Sequence, residues 1–202
     1  MPKNKKLRNT RGYSPRKVDI REVKQRFLIV CEGAKTEPNY FMAFRVPKVV
    51  EVVIEGLGEN PSKLVQSAKS FNDQGEYDQV WCVFDRDSWP EEDFNNAIHS
   101  ATSHNFKIAY SNEAFELWYV LHFEFLNTGI PRADYCEKLT SLLGKKYQKN
   151  SLTIYDDLFN EQTSAIRNAE KLLQQYEPQN PVKDNPSTKV HLLVQELNKY
   201  IV

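Results

Sequence analysis

The chain has 202 residues, of which 40% are hydrophobic and 27% charged, as is typical of a globular protein with enough chain for one domain and its core. Its 27 basic and 27 acidic residues cancel, so affinity for nucleic acid has to come from a local excess of charge. No apolar run reaches the roughly 18 residues of a membrane span, and the cysteines (Cys31, Cys82 and Cys136) form no CxxC pair. These features argue against a membrane protein, a zinc knuckle and a disulfide framework, and we expect a cytoplasmic location.

Residues 1–23 are predicted to be a basic arm that is disordered in isolation. Seven Lys and Arg residues precede the first acid, Asp19, and apolar residues are scarce. One interpretation is that the arm contacts nucleic-acid phosphates, with Arg11 and Lys17 as candidate residues. The other is a solvated tail that aids solubility, and the sequence leaves both open.

The first predicted strand covers residues 26–31 and runs directly into Glu32 and Gly33. A helix is expected from Glu37 to about residue 45, and its N-terminal amides together with Lys35 could bind phosphate oxygens. Lys35 and Glu37 are weaker candidates than Glu32, because a loop between a strand and a helix is usually polar.

The second strand, over residues 49–54, and the helix from Asn60 to about Phe71 are predicted to have a structural role only. Gly75 is expected to end that helix. The third strand, residues 80–84, is a short apolar run of the kind that is buried on both faces of a parallel sheet, and two acids, Asp85 and Asp87, follow it.

Three acids are therefore expected to meet where two strands end. Residues two apart on an extended chain point the same way, so Asp85 and Asp87 should face one crevice, and Glu32 joins them if the strands are parallel neighbours. Carboxylate oxygens suit Mg²⁺ or Mn²⁺, which predicts a metal site. The alternative is that acids simply follow strands because Asp favours turns. Arg86 should point away from both aspartates and either pairs with an acid or binds a phosphate.

A helix at 92–104 and a strand at 107–112 come next, followed by an almost wholly apolar stretch, residues 115–123, that is expected to be a buried helix. Glu116 and His122 are the exceptional residues in it, because a buried acid is costly unless it is paired or bound to metal. Each is a candidate catalytic residue, and for each the alternative is a polar side chain satisfied within the core.

The remaining chain is predicted to be helical over residues 132–143, 163–176 and 188–201. Ser187 and Thr188 follow Pro186 and are expected to cap the last helix. Either they form that cap only, or the start of the helix returns to the crevice and contacts a phosphate.

Taken together, four segments resemble a known family. A strand ending in Glu-Gly and a later strand ending in Asp-x-Asp resemble a Toprim domain, the catalytic domain of topoisomerases, bacterial primases and OLD-family nucleases. The four segments, two of which contain these motifs, resemble the RloB-like proteins, which are bacterial proteins associated with restriction loci and phage defence. The segments are residues 29–41, 84–87, 111–123 and 185–188.

The resemblance implies an α/β fold: a Toprim-like Rossmannoid core with about four mainly parallel strands between helices, spanning residues 24–126. A helical extension, residues 127–202, should pack on it as part of one compact unit. The implied function is a metal-dependent nuclease of RNA or DNA, with a second protein of the defence system as a further conceivable partner. The alternative is a catalytically silent Toprim module that binds a nucleotide or a partner.

Overall fold

The computed structural model of the protein describes residues 25–47, 50–87 and 89–201. The basic arm, with Arg11 and Lys17, lies outside the described residues, so the expectation about it stays a prediction.

A five-stranded sheet forms the centre of the molecule. Its strands are β1 (Gln25–Cys31), β2 (Val50–Gly56), β3 (Gln79–Asp85), β4 (Lys107–Asn112) and β5 (Ser187–Thr188). The strand order is β2-β1-β3-β4-β5, and only the β4–β5 pair is antiparallel. The predicted α/β class with a mainly parallel sheet is confirmed.

Strands β1 and β3 form where they do because their side chains are apolar on both faces. In β1, Phe27 and Ile29 enter one core, and Leu28 and Val30 enter a second core on the opposite face. Strands buried on both faces are typical of parallel sheets whose crossover helices cover both sides.

Eight α-helices surround the sheet in the described part of the chain, and one 3-10 turn (Phe159–Glu161) follows the sixth. They are α1 (Thr36–Met42), α2 (Pro61–Gln74), α3 (Glu91–Ser103), α4 (Glu116–Val120), α5 (Asp134–Leu143), α6 (Ile154–Leu158), α7 (Gln162–Leu173) and α8 (Val190–Asn198). The second core lies under α2 and α3. The first core joins α1 and α4 to the C-terminal helices, so the C-terminal region packs on the sheet as expected.

Local chemistry explains several of these boundaries. Asn60 caps α2 by accepting a hydrogen bond from the Lys63 amide at 2.9 Å, and Pro61 occupies the first turn, where its missing N–H costs nothing. Gly75 ends α2, as the sequence predicted. None of the helices in the described residues is long and apolar enough to cross a bilayer.

Two expectations for the chain's helices need correction. The sequence predicts a last helix over residues 188–201 with Ser187 or Thr188 as its cap, but both residues form β5, and α8 starts at Val190. Strand pairing prevails because Ser111 and Asn112 of β4 offer a free edge to them. The buried helix expected over 115–123 is regular only from Glu116 to Val120. Helix α6 was not predicted from the sequence.

Candidate active site

The predicted meeting of Glu32 and Asp85 occurs at the carboxyl ends of β1 and β3. The two strands are parallel neighbours with Cys31 opposite Val83, which places the next residues side by side. The Asp85 backbone amide donates to Glu32 Oε2 at 2.9 Å. Glu32 therefore lies against the backbone of the strand that carries Asp85, where parallel α/β sheets bind their ligands.

The Glu32 carboxylate is held by hydrogen bonds to both of its oxygens. Besides the Asp85 amide, the Trp89 indole Nε1 donates to Glu32 Oε1 at 2.6 Å. Burial raises the pKa of Glu32, and these two hydrogen bonds act in the opposite direction by favouring the charged form. With two donors in place, Glu32 serves in this arrangement to fix the end of β3.

Asp87 lies beyond the end of β3, so strand alternation does not govern its direction. Its φ of 35° falls in the left-handed region, which turns the chain at this point. Its carboxylate forms an ion pair with Arg132, which comes just before α5. Arg132 Nη2 also lies 3.9 Å from Asp85 Oδ2, so one guanidinium bridges both aspartates.

Asp85 lies in a cavity of about 350 Å³ together with two other acids. Glu37 comes from the first turn of α1 and Glu116 from the start of α4, and the three carboxylates are 3–5% exposed. The Phe115 amide donates to Asp85 Oδ2 at 3.1 Å, and the Tyr147 hydroxyl lies 3.4 Å from Glu116 Oε1. The acids on the floor of this cavity are thus Glu37, Asp85 and Glu116.

Crowding and burial raise the proton affinity of Glu37 and Asp85. Burial, together with the nearby Glu116 and Glu32, raises the pKa of Glu37 to about 7. Burial also raises the pKa of Asp85 well above its usual range, assisted by Glu37, Glu32 and Glu116, while Arg132 opposes the shift. Glu37 Oε2 is buried and has no hydrogen-bond partner among the described residues.

The packing around Gly33 explains why a glycine follows Glu32. A Cβ atom at this position would lie 2.0 Å from Glu37 Oε2, closer than any real contact. The missing side chain leaves the space in which the Glu37 carboxylate reaches the cavity, where close approach rather than backbone freedom requires glycine.

Cations surround the mouth of the cavity. Lys35, which the sequence suggested as a phosphate-binding residue, lines it together with Lys149 and Arg132. The cavity therefore has an acidic floor and a basic rim. The sequence offered no signal for Arg132 or Lys149, because neither belongs to a recognisable motif and both lie far along the chain from the acids. Glu37 was a weaker candidate than Glu32 in the sequence, where it follows the Glu32-Gly33 pair at the start of the predicted helix.

Arg86 lies away from this cavity, toward α3. Its guanidinium donates to the carbonyl oxygens of Asp87, at 3.2 Å, and of Trp89, and lies 3.9 Å from Glu91. Its side chain is 16% exposed. These contacts give it a role in holding the loop after β3, and its assignment to phosphate binding stays a prediction.

His122 is enclosed in the core and does not line the cavity. It is 2% exposed, and its Nδ1 lies 2.9 Å from the Trp118 carbonyl oxygen. Burial lowers the pKa of His122 to about 4, so the ring is neutral near pH 7. Its Nε2 has no partner among the described residues.

The hydroxyls of Ser187 and Thr188 are fully buried and bonded within the fold. Ser187 donates to the Asp184 carbonyl at 2.6 Å, and Thr188 donates to the Tyr110 carbonyl at 3.0 Å. Thr188 Oγ1 also accepts a hydrogen bond from the Val190 amide at 3.2 Å, but the N-cap of α8 is Lys189 and no side chain caps the helix. The assignment of Ser187 and Thr188 to phosphate binding stays a prediction.

The acids of the floor match Mg²⁺ or Mn²⁺ in donor type. They are hard oxygen ligands, their mutual repulsion favours a bound cation, and Glu37 contributes an oxygen with no partner among the described residues. Across residues 25–47, 50–87 and 89–201, however, no three Asp, Glu, His or Cys side chains converge closely enough to hold an ion. The carboxylate oxygens are of the type that Mg²⁺ and Mn²⁺ bind, and the side chains have to move closer together to coordinate the ion.

Comparison with known proteins places the chain in one family. The family model described as "RloB-like protein" matches residues 27–197, a range that includes all the acids and cations that line the cavity. The comparison with curated proteins gave no significant match, and neither did the comparison with solved structures. Because the family model covers most of its length, the chain belongs to the RloB-like protein family.

Proposed function

We propose that this protein is a metal-dependent nuclease of the Toprim type, which hydrolyses phosphodiester bonds of RNA or DNA in bacterial phage defence. The observation that carries the proposal is the cavity in which Glu37, Asp85 and Glu116 are buried beneath Lys35, Arg132 and Lys149. A phosphodiester substrate needs cations for its charged oxygens, and a hydrolytic metal needs carboxylate ligands. One cavity provides both.

Asp85 and Glu116 would hold the ion, Asp87 would join them when Arg132 releases it, and Glu37 would remain beside the ion as an unbound carboxyl group. When bound there, Mg²⁺ or Mn²⁺ would supply Lewis-acid chemistry at the phosphate and at a coordinated water. Glu32 would act by fixing the end of β3 through the Asp85 amide.

The protein's own groups also account for substrate orientation and proton transfer. Arg132 and Lys149 would bind nonbridging phosphate oxygens, and the planar guanidinium suits a bidentate contact. Glu37 has a pKa of about 7 and is therefore suited to accept a proton from the attacking water near neutral pH. The burial of the floor excludes bulk water and strengthens these electrostatic interactions.

A second candidate function is a catalytically silent module that binds a nucleotide. The observation in its favour is that Arg132 already neutralises Asp87 and lies 3.9 Å from Asp85. The Arg132 guanidinium balances the charge of Asp87 and Asp85, so these two acids do not require a bound metal ion. A cavity of about 350 Å³ also falls in the range of small-ligand sites.

The experiment that separates the two is a cleavage assay with the full chain. Labelled tRNA, single-stranded RNA and plasmid DNA are incubated with and without Mg²⁺ or Mn²⁺, beside Asp85→Asn. The nuclease proposal expects cleavage that requires the metal and is abolished by Asp85→Asn. Cleavage that persists in the variant would refute the proposed site. If the wild type binds metal but cleaves nothing, the silent module, or an enzyme that requires a second defence protein, becomes the better account.

A further inference from the structure

We propose that the loop of residues 145–150, here called the clamp loop, binds phosphates of a single nucleic-acid strand and restricts the cavity to unpaired strands. The inference deepens the proposed function, since it takes nucleic acid as the ligand of the same cavity. It concerns binding and substrate class, so it can be tested without catalysis.

The clamp loop is tied to the floor of the cavity from a distant part of the chain. The Thr36 hydroxyl donates to Asn150 Oδ1 at 2.8 Å, and Asn39 Nδ2 donates to the Asn150 carbonyl at 2.9 Å. Tyr147 is 7% exposed, and its hydroxyl reaches Glu116. Residues 147 and 150 are therefore fixed against α1 and α4, and the lysine between them is held at the mouth of the cavity.

Two of the three lysines in the clamp loop carry a positive charge that is not paired with an acid in the described part of the chain. Of its three lysines, Lys145 pairs with Asp157 at 2.7 Å, whereas Lys146 and Lys149 form no ion pair with any residue in the described part of the chain. Lys149 lines the cavity with Lys35 and Arg132. Because no acid in the described part of the chain forms an ion pair with Lys146 or Lys149, their charge is available to an anionic ligand.

The depth of the acids argues for an unpaired strand. Glu37, Asp85 and Glu116 are at most 5% exposed, so a phosphodiester has to enter the cavity to reach them. In a duplex the phosphates lie on the outside of a stiff rod, and the complementary strand and neighbouring phosphates would meet the anchored clamp loop. A single strand bends freely and can place one phosphate inside, with its neighbours on the basic rim. The unpartnered Glu37 Oε2 is a second, independent sign that this cavity takes a ligand.

The test measures binding by fluorescence anisotropy with Asp85→Asn as the parent protein, in the presence of Mg²⁺. The probes are labelled oligonucleotides of about 12 nucleotides, as single-stranded RNA, single-stranded DNA and blunt duplexes of the same sequences. Salt is varied between about 50 and 200 mM, so that the slope of log affinity against log salt counts phosphate contacts. Thermal unfolding of each protein confirms that it is folded.

Lys149→Glu is the informative variant and Lys63→Glu its matched control. Lys63 is exposed on α2, which covers the opposite core, and forms no ion pair with a described residue. We expect single strands to bind at least roughly tenfold more tightly than duplexes. Lys149→Glu should weaken single-strand binding about tenfold and reduce the salt slope by about one. Lys63→Glu should leave both unchanged.

Two results would overturn the inference: equal affinity for duplex and single strand, or a Lys149→Glu variant that binds like Lys63→Glu. Its failure is distinguishable from failure of the nuclease proposal. Lys149-dependent binding of single strands by a wild type that cleaves nothing would support the clamp loop and refute a nuclease that acts without a partner. Metal-dependent cleavage that is equally fast on duplexes would support the nuclease and refute the restriction to single strands.

Discussion

Replacing Glu37 by glutamine should make the protein more stable at alkaline pH and leave it nearly unchanged at acidic pH. Glutamine has the shape and neutrality of the protonated acid, so it preserves the packing at Gly33. The native carboxyl has a pKa of about 7, above its ordinary value of 4.5, mainly because of burial and secondarily because of Glu116 and Glu32.

The sign and size of the effect follow from proton linkage. Between pH 4.5 and about 7 the native protein keeps the Glu37 proton that the unfolded chain has lost, so the free energy of unfolding falls as pH rises through this window. At 1.36 kcal/mol for each pH unit, the loss is about 3 kcal/mol. The Glu37→Gln variant escapes this loss, and the missing charge also relieves Asp85, whose pKa is raised by its neighbour.

The measurement is urea denaturation of both proteins at intervals between about pH 4 and pH 8. The two curves should nearly coincide at the acidic end, and the variant should exceed the wild type by about 3 kcal/mol at the alkaline end. Glu161→Gln, an exposed acid in the 3-10 turn, should follow the wild type throughout. Parallel pH profiles for wild type and Glu37→Gln would refute the picture of a crowded, buried floor.

Three further changes test the surroundings of the floor by denaturation. Arg132→Gln should lower the free energy of unfolding by about 1–3 kcal/mol, because Asp87 loses its half-buried partner. The control Arg45→Gln removes an exposed ion pair and should change the free energy of unfolding by less than about 0.5 kcal/mol. Equal losses in the two variants would contradict the bridging role of Arg132. Gly33→Ala should cost about 1–3 kcal/mol, since its Cβ would overlap the Glu37 carboxylate, and a neutral effect would disprove that contact. His122→Leu should retain metal-dependent cleavage and should be more stable in acid than the wild type. The native ring has a pKa of about 4 and stays neutral, while the unfolded chain gains a proton below about pH 6.5. Between these pH values the free energy of unfolding of the wild type should therefore fall by about 3 kcal/mol relative to the variant.

The strands were predictable because the information for them is local. The apolar runs of β1 and β3 have the length and composition of strands buried on both faces, and β4 was predicted with its observed bounds. The contact of Glu32 with Asp85 was predictable too, since parallel neighbouring strands bring their carboxyl ends together. Strand β5 escaped prediction because two residues carry no periodicity, and only the free edge of β4 makes them a strand.

By itself, the sequence determined the α/β class and the neighbouring strand ends at which Glu32 and Asp85 lie. Only the tertiary structure decided which acids share a cavity. It placed Glu37 and Glu116 beside Asp85, turned Asp87 toward Arg132, and brought Lys149 to the rim from more than a hundred residues beyond Glu37. The physical reason is that side-chain burial, ion pairing and pKa depend on neighbours in space, and segments far apart in the chain become neighbours only when the sheet and its helices pack.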